Sequence, residues 1–134
     1  MTERYMVPGK GMQLFREPES SASSLDSVIG PHYTAVDDIR LYLIGDLAHA
    51  LGRKPVTIRK WIAQGYLPAE FWSQPTRAKG GRIRLYAYEE LKAAREIANY
   101  NGLLSDLTKN VTKTDFVDQL RDAWDELRLG WSWS

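Results

Sequence analysis

The chain has 134 residues, 43% of them hydrophobic and 26% charged, with a formal net charge of +1. That length suits one domain with a modest core. No apolar run approaches the ~18 residues of a membrane-spanning helix, no basic-then-apolar signal pattern opens the chain, and the absence of cysteine excludes disulfides and thiolate chemistry.

The near-neutral total conceals a division. Residues 1–52 carry a net charge of −3, residues 53–96 a net of +6 and residues 97–134 a net of −2. Local sign, not the sum, selects a polyanionic partner.

Residues 1–38 lack sustained periodicity and are expected to form a flexible N-terminal arm, with "EPESSASSLDS" (17–27) as its serine-rich part. Within it "YMVPGKGMQLF" (5–15) is apolar enough to dock on the domain or on a neighbouring subunit. A folded domain is expected over 39–100. In "LYLIGDLAHALG" (41–52), Leu43, Leu47, Ala48 and Leu51 fall on one helical face and Gly52 ends the helix. In "RKPVTIRKWIAQGYLP" (53–68), Pro55 suits a first helical position, Ile58, Trp61 and Ile62 form an apolar stripe, and Gly65 is a stop. Two short helices joined by about four residues make a helix-turn-helix.

The next stretch, "RAKGGRIRLY" (77–86), sets four cations around two glycines. A two-residue hairpin loop at Gly80-Gly81 would place Lys79 across from Arg82 and Arg77 across from Arg84. All four cations would then share one face, with Ile83 and Leu85 on the other. Like charges opposed in this way repel, which a polyanion lying against them would offset.

A further helix is expected in "YEELKAAREIANY" (88–100), with Leu91, Ala94, Ile97 and Ala98 inward and Glu89 and Glu90 in the favourable first turn. After "NGLLS", residues 101–134 hold a last amphipathic segment, "TKTDFVDQLRDAWDELRLG" (112–130). Thr114 is its expected cap, Gly130 its end, and Phe116, Leu120, Trp124 and Leu127 its apolar stripe. The expected architecture is mainly α with a small β-hairpin: a winged helix-turn-helix plus a C-terminal amphipathic helix.

The ordered series "YLIGDLAHALGRKPVTIRKWIAQGYLP", "GGRIRLY" and "YEEL" resembles the MerR-type winged helix-turn-helix over residues 42–98. It is similar also to phage excisionases and to the DNA-binding domains of small terminase subunits. Lys54 stands where the family usually has a capping Ser or Thr, and segment 68–77 is longer than an excisionase would have. With neither a long heptad helix nor cysteines, an inducer- or metal-sensing regulator is not expected. The resemblance implies a sequence-specific reader of double-stranded DNA. Its implied role is a small transcriptional regulator or excisionase-like architectural factor of phage or prophage, working in the bacterial or phage-infected host cytoplasm. The alternative is the small DNA-recognising subunit of a packaging terminase.

In such a motif the second helix enters the major groove. With Ile58 and Ile62 inward, Thr57, Lys60 and Gln64 face outward and Arg59 flanks them, while Arg53 and Lys54 at the turn suit phosphates. Arg77, Lys79, Arg82 and Arg84 would straddle the backbone or reach the adjacent minor groove.

Plainer readings stand beside these. The cationic hairpin can be a solvated surface, Trp61 can be core, and Arg59 can pair with Glu70. His32 and His49 lack a metal-ligand spacing, so no metal or cofactor is expected. No nucleophile-base pattern or phosphate-binding glycine loop is present, and a non-enzyme is expected. The C-terminal stripe can close on the domain's own core or pair with another subunit. Oligomerisation is the favoured expectation, with Trp131 and Trp133 of "GWSWS" docking on a partner.

Overall fold

The structure, a computed structural model, describes residues 25–77 and 79–131. Across "IRLYL" the side chains alternate in character on a two-residue period, and this stretch folds as a strand rather than as the start of a helix. Strand β1 (Thr34–Val36) pairs antiparallel with strand β2 (Ile39–Leu43), Val36 lying opposite Ile39. Their two-residue connection is possible because Asp37 takes φ 55, a left-handed conformation that aspartate tolerates better than most residues. β2 pairs with strand β4 (Arg82–Ala87), and β4 with strand β3 (Trp72–Pro75).

The result is a four-stranded antiparallel sheet in the order β1-β2-β4-β3. It overturns the expectation of a mainly α winged helix-turn-helix with one small hairpin. The sheet is a full structural layer, and the expected wing is only its β3–β4 half.

Helix α1 (Ile44–Leu51) leaves β2 without a linker and ends at Gly52, whose φ of 67 supplies the left-handed turn. Leu43 is thereby the cap residue, 52% exposed, and does not join Leu47 and Leu51 on the buried face. Helix α2 (Pro55–Ala63) starts on Pro55, with Lys54 in the cap position making no side-chain cap bond, and the chain turns away at Gly65, φ 84. Helix α3 (Tyr88–Tyr100) follows β4 directly. Helix α4 (Phe116–Trp131) opens with the Phe116 N–H donating to Thr114 Oγ1 at 3.2 Å and runs through Gly130 instead of stopping there. Among the described residues no helix is long and apolar enough to cross a membrane.

Alternation on β2 and β4 gives the sheet two apolar faces. Tyr42 and Tyr86, paired across the strands, point into the main core with Leu47, Leu51, Ile58, Leu91 and the α4 stripe. Leu41, Leu85 and Ala87 point the other way into a smaller cluster, against which Trp72 and Trp131 pack. α4 serves both faces: Trp124 packs on Tyr86 with ring centroids 5.7 Å apart, and Trp131 sits 5.7 Å from Trp72.

Phe116, Leu120 and Trp124 are 0% exposed, and Leu127 packs beside them. The expectation that this stripe pairs with another subunit is corrected, because the stripe is buried within the chain, packed in the main core beside α3 and, through Trp124, against Tyr86. Trp131 likewise docks on its own chain; Trp133 lies outside the described residues. Leu25 is buried in the main core and β1 lies in the sheet, so order reaches back into the stretch read as an arm. Segment 5–15 lies outside the described residues.

Glu90 does far more than add charge to a helix start. Its side chain is fully buried, with Oε1 accepting from the Ala87 N–H at 2.9 Å and Oε2 from Arg128 Nε at 2.6 Å. The Trp124 indole N–H donates to the Glu90 carbonyl at 3.0 Å. Burial pushes the Glu90 carboxyl above the usual carboxylate range, and the Arg128 guanidinium opposes that rise.

Candidate nucleic-acid interface

Helical periodicity divides α2 into three faces. Ile58 is buried and Ile62 packs against the core, so Val56, Arg59, Lys60, Ala63 and Gln64 are left exposed. Thr57 is half-buried, beside a partly buried Trp61 whose ring lies 6.3 Å from Phe116, a core position. Pro55 and Arg59, four residues apart, share the flank turned toward β4. There a cleft of about 670 Å³ opens between α1, α2 and β4. Arg59, Arg82, Arg84 and His49 bring polar groups to it, and Leu43, Pro55 and Ile83 give it apolar walls. Asp46 also borders the cleft, but its Oδ1 is engaged by the Gly30 N–H at 3.0 Å.

The hairpin register differs from expectation. Pro75 lies opposite Arg82 and Ser73 opposite Arg84, and the Thr76 N–H donates to the Gly81 carbonyl at 3.1 Å to close a longer loop. Of the two glycines only Gly80 takes a positive φ, 75, so the pair is not a two-residue turn. Arg77 and Lys79 are exposed on the loop instead of facing Arg84 and Arg82. The like-charge opposition therefore does not arise.

The strand cations have partners of their own. Arg82 Nη2 donates to Ser73 Oγ at 2.6 Å. Arg84 Nε lies 3.3 Å from Glu70 Oε1, so the acid considered for Arg59 belongs to Arg84.

Arg53 leaves the expected phosphate-binding set. Its Nη1 donates to the carbonyls of Leu51 and Leu103, both at 3.0 Å, and its guanidinium lies 5.6 Å from the Trp61 ring centroid. Burial lowers its pKa, in keeping with a side chain drawn inward to tie the α1–α2 turn to the loop after α3. Arg53→Ala is expected to lower stability by about 2 kcal/mol, the scale of a hydrogen bond to a charged group. Urea unfolding measures that loss, and the salt dependence of any DNA binding should not change. Lys54 stays exposed at the start of α2, where it can meet a phosphate.

Sequence reasoning missed two contributors. Val56, 57% exposed, adds an apolar side chain to the outer face of α2; its place off the Ile58–Ile62 stripe was the available signal. His49 carried none, because only the fold brings the end of α1 to the cleft. Among the described residues no group of three or more His, Asp or Glu side chains is placed to hold a metal. Three guanidiniums around one cleft are donors only, and they suit an anionic ligand with several acceptor oxygens. Comparison of the chain with family models, curated proteins and solved structures gave no match.

Proposed function

We propose that the protein binds double-stranded DNA sequence-specifically, with the outer face of α2 in the major groove and the cleft arginines on the adjoining phosphate backbone. The observation that carries this reading is the convergence of Arg59 from α2 with Arg82 and Arg84 from β4 on a single cleft beside an exposed helix face. Lys60 donates to guanine, Gln64 pairs with adenine and Val56 meets a thymine methyl. Lys54, Arg77 and Lys79 add phosphate contacts at the periphery.

The role that fits is a small transcriptional regulator or excisionase-like architectural factor. A terminase small subunit would use its N-terminal arm and C-terminal helix to build a ring or recruit the motor, and of these the apolar stripe of α4 is already occupied within the chain.

Selection from a random duplex library at two salt concentrations tests the reading. An enriched motif whose affinity falls steeply with salt is expected. Lys60→Ala and Gln64→Ala should each relax preference at one position by about 1–3 kcal/mol. An absence of binding even at low salt would sink the proposal.

A further inference from the structure

The two arginines that β4 turns to the cleft are held differently. Ser73, a neutral partner, orients Arg82 at 2.6 Å and leaves its charge whole. Glu70 meets Arg84 through a carboxylate and offsets its charge. The Glu70 side chain is only 19% exposed while that of Arg84 is 40% exposed, so the acid is the rooted partner and the guanidinium the one that can turn. Their 3.3 Å separation exceeds the roughly 2.7–2.9 Å of a tight charge-assisted bond. It also exceeds the 2.6 Å between Arg128 and Glu90. A pair this loose and this exposed is easily exchanged.

From this geometry we infer that Glu70 is an affinity-setting residue that competes with DNA phosphate for Arg84. The inference rests on the DNA-binding reading above. A carboxylate and a phosphate oxygen accept from a guanidinium in the same way, so a duplex must displace Glu70 before Arg84 contributes. That cost falls on every duplex. A random sequence is bound mainly by phosphate contacts, so the loss is a larger share of its affinity than of a cognate site's, which also has the base contacts of α2. Glu70 thereby lowers affinity for cognate and random DNA alike, and random DNA, which starts weaker, is the first to fall below useful occupancy.

The test measures binding of the full chain to a fluorescent random-sequence duplex across a salt series. Glu70→Gln keeps the side chain's shape and removes its charge. It is expected to bind about three- to tenfold tighter and to steepen the slope of log affinity against log salt by about 0.9, one added phosphate contact. Glu70→Gln/Arg84→Gln should lose the gain, and Glu70→Ala, made in parallel, should reproduce it.

Unchanged or weaker binding by folded Glu70→Gln would overturn the inference and make Glu70 a residue that positions Arg84. A gain that survives in the double variant would overturn it too. If the wild type binds and Glu70→Gln gains nothing, only this inference fails. If no variant and no wild type binds at low salt, the DNA reading fails and this inference with it.

Discussion

Replacing Arg128 with methionine is expected to destabilise the fold by about 3–5 kcal/mol at neutral pH, read as a lower urea midpoint. The substitution keeps most of the side chain's volume but leaves the Glu90 carboxylate buried with no countercharge. In the wild type Arg128 Nε sits 2.6 Å from Glu90 Oε2 and its guanidinium lies 5.0 Å from the Trp124 ring centroid, so both electrostatics and packing depend on it. The loss should shrink in acid. Burial already holds the Glu90 pKa above its unfolded value, and removing Arg128 removes the main opposing influence. A carboxyl with a raised folded-state pKa is protonated in both states below the ordinary carboxylate range. Its penalty appears as pH rises through the folded-state pKa. The gap between variant and wild type should therefore be smaller near pH 4 than near pH 8. Glu90→Gln/Arg128→Met, which removes both charges, should recover much of the loss. A penalty independent of pH would mean that packing alone accounts for it.

The largest functional effect is expected from neutralising the cleft. Arg59→Gln/Arg82→Gln/Arg84→Gln should weaken duplex binding by about 10²–10³-fold and flatten the salt slope by about 2 to 3. The lower bound reflects the partial neutralisation of Arg84 by Glu70 in the wild type. Anisotropy titrations across a salt series read both quantities, with circular dichroism to check the fold. An unaltered slope would place the phosphate contacts elsewhere on the molecule.

What the sequence could and could not disclose follows from the range of each interaction. Local signals were legible: Pro55 opens α2, Gly52 and Gly65 close α1 and α2, and α3 spans the predicted 88–100. These depend on backbone conformation within a turn or so of each residue. Strands depend on partners far along the chain. "WSQP" has little strand propensity of its own and becomes β3 because β4 pairs with it, with Pro75 tolerated at the end of an edge strand. β2 was hidden differently, since Leu43 fits the helical spacing of Leu47 and Leu51 as well as the strand spacing of Ile39 and Leu41.

The cleft shows the same limit. The basic character of α2 and β4 was visible in the sequence, and so was the outward direction of Lys60 and Gln64. That Arg53 turns inward toward Leu103 and that Glu70 meets Arg84 were not, because each contact joins segments whose relative placement only the complete sheet defines.

The double duty of α4 has a consequence for biosynthesis. Trp124 covers one face of the sheet, Trp131 packs against the other, and Arg128 neutralises an acid at the start of α3. A nascent chain that has emerged only as far as α3 carries the whole cationic cleft but lacks Phe116, Leu120 and Trp124 of the main core and the countercharge to Glu90. It should stay loosely packed and prone to capture by chaperones until α4 clears the ribosome. Folding thus waits for α4, and a ribosome that stalls before Phe116 releases a product fit for proteolysis.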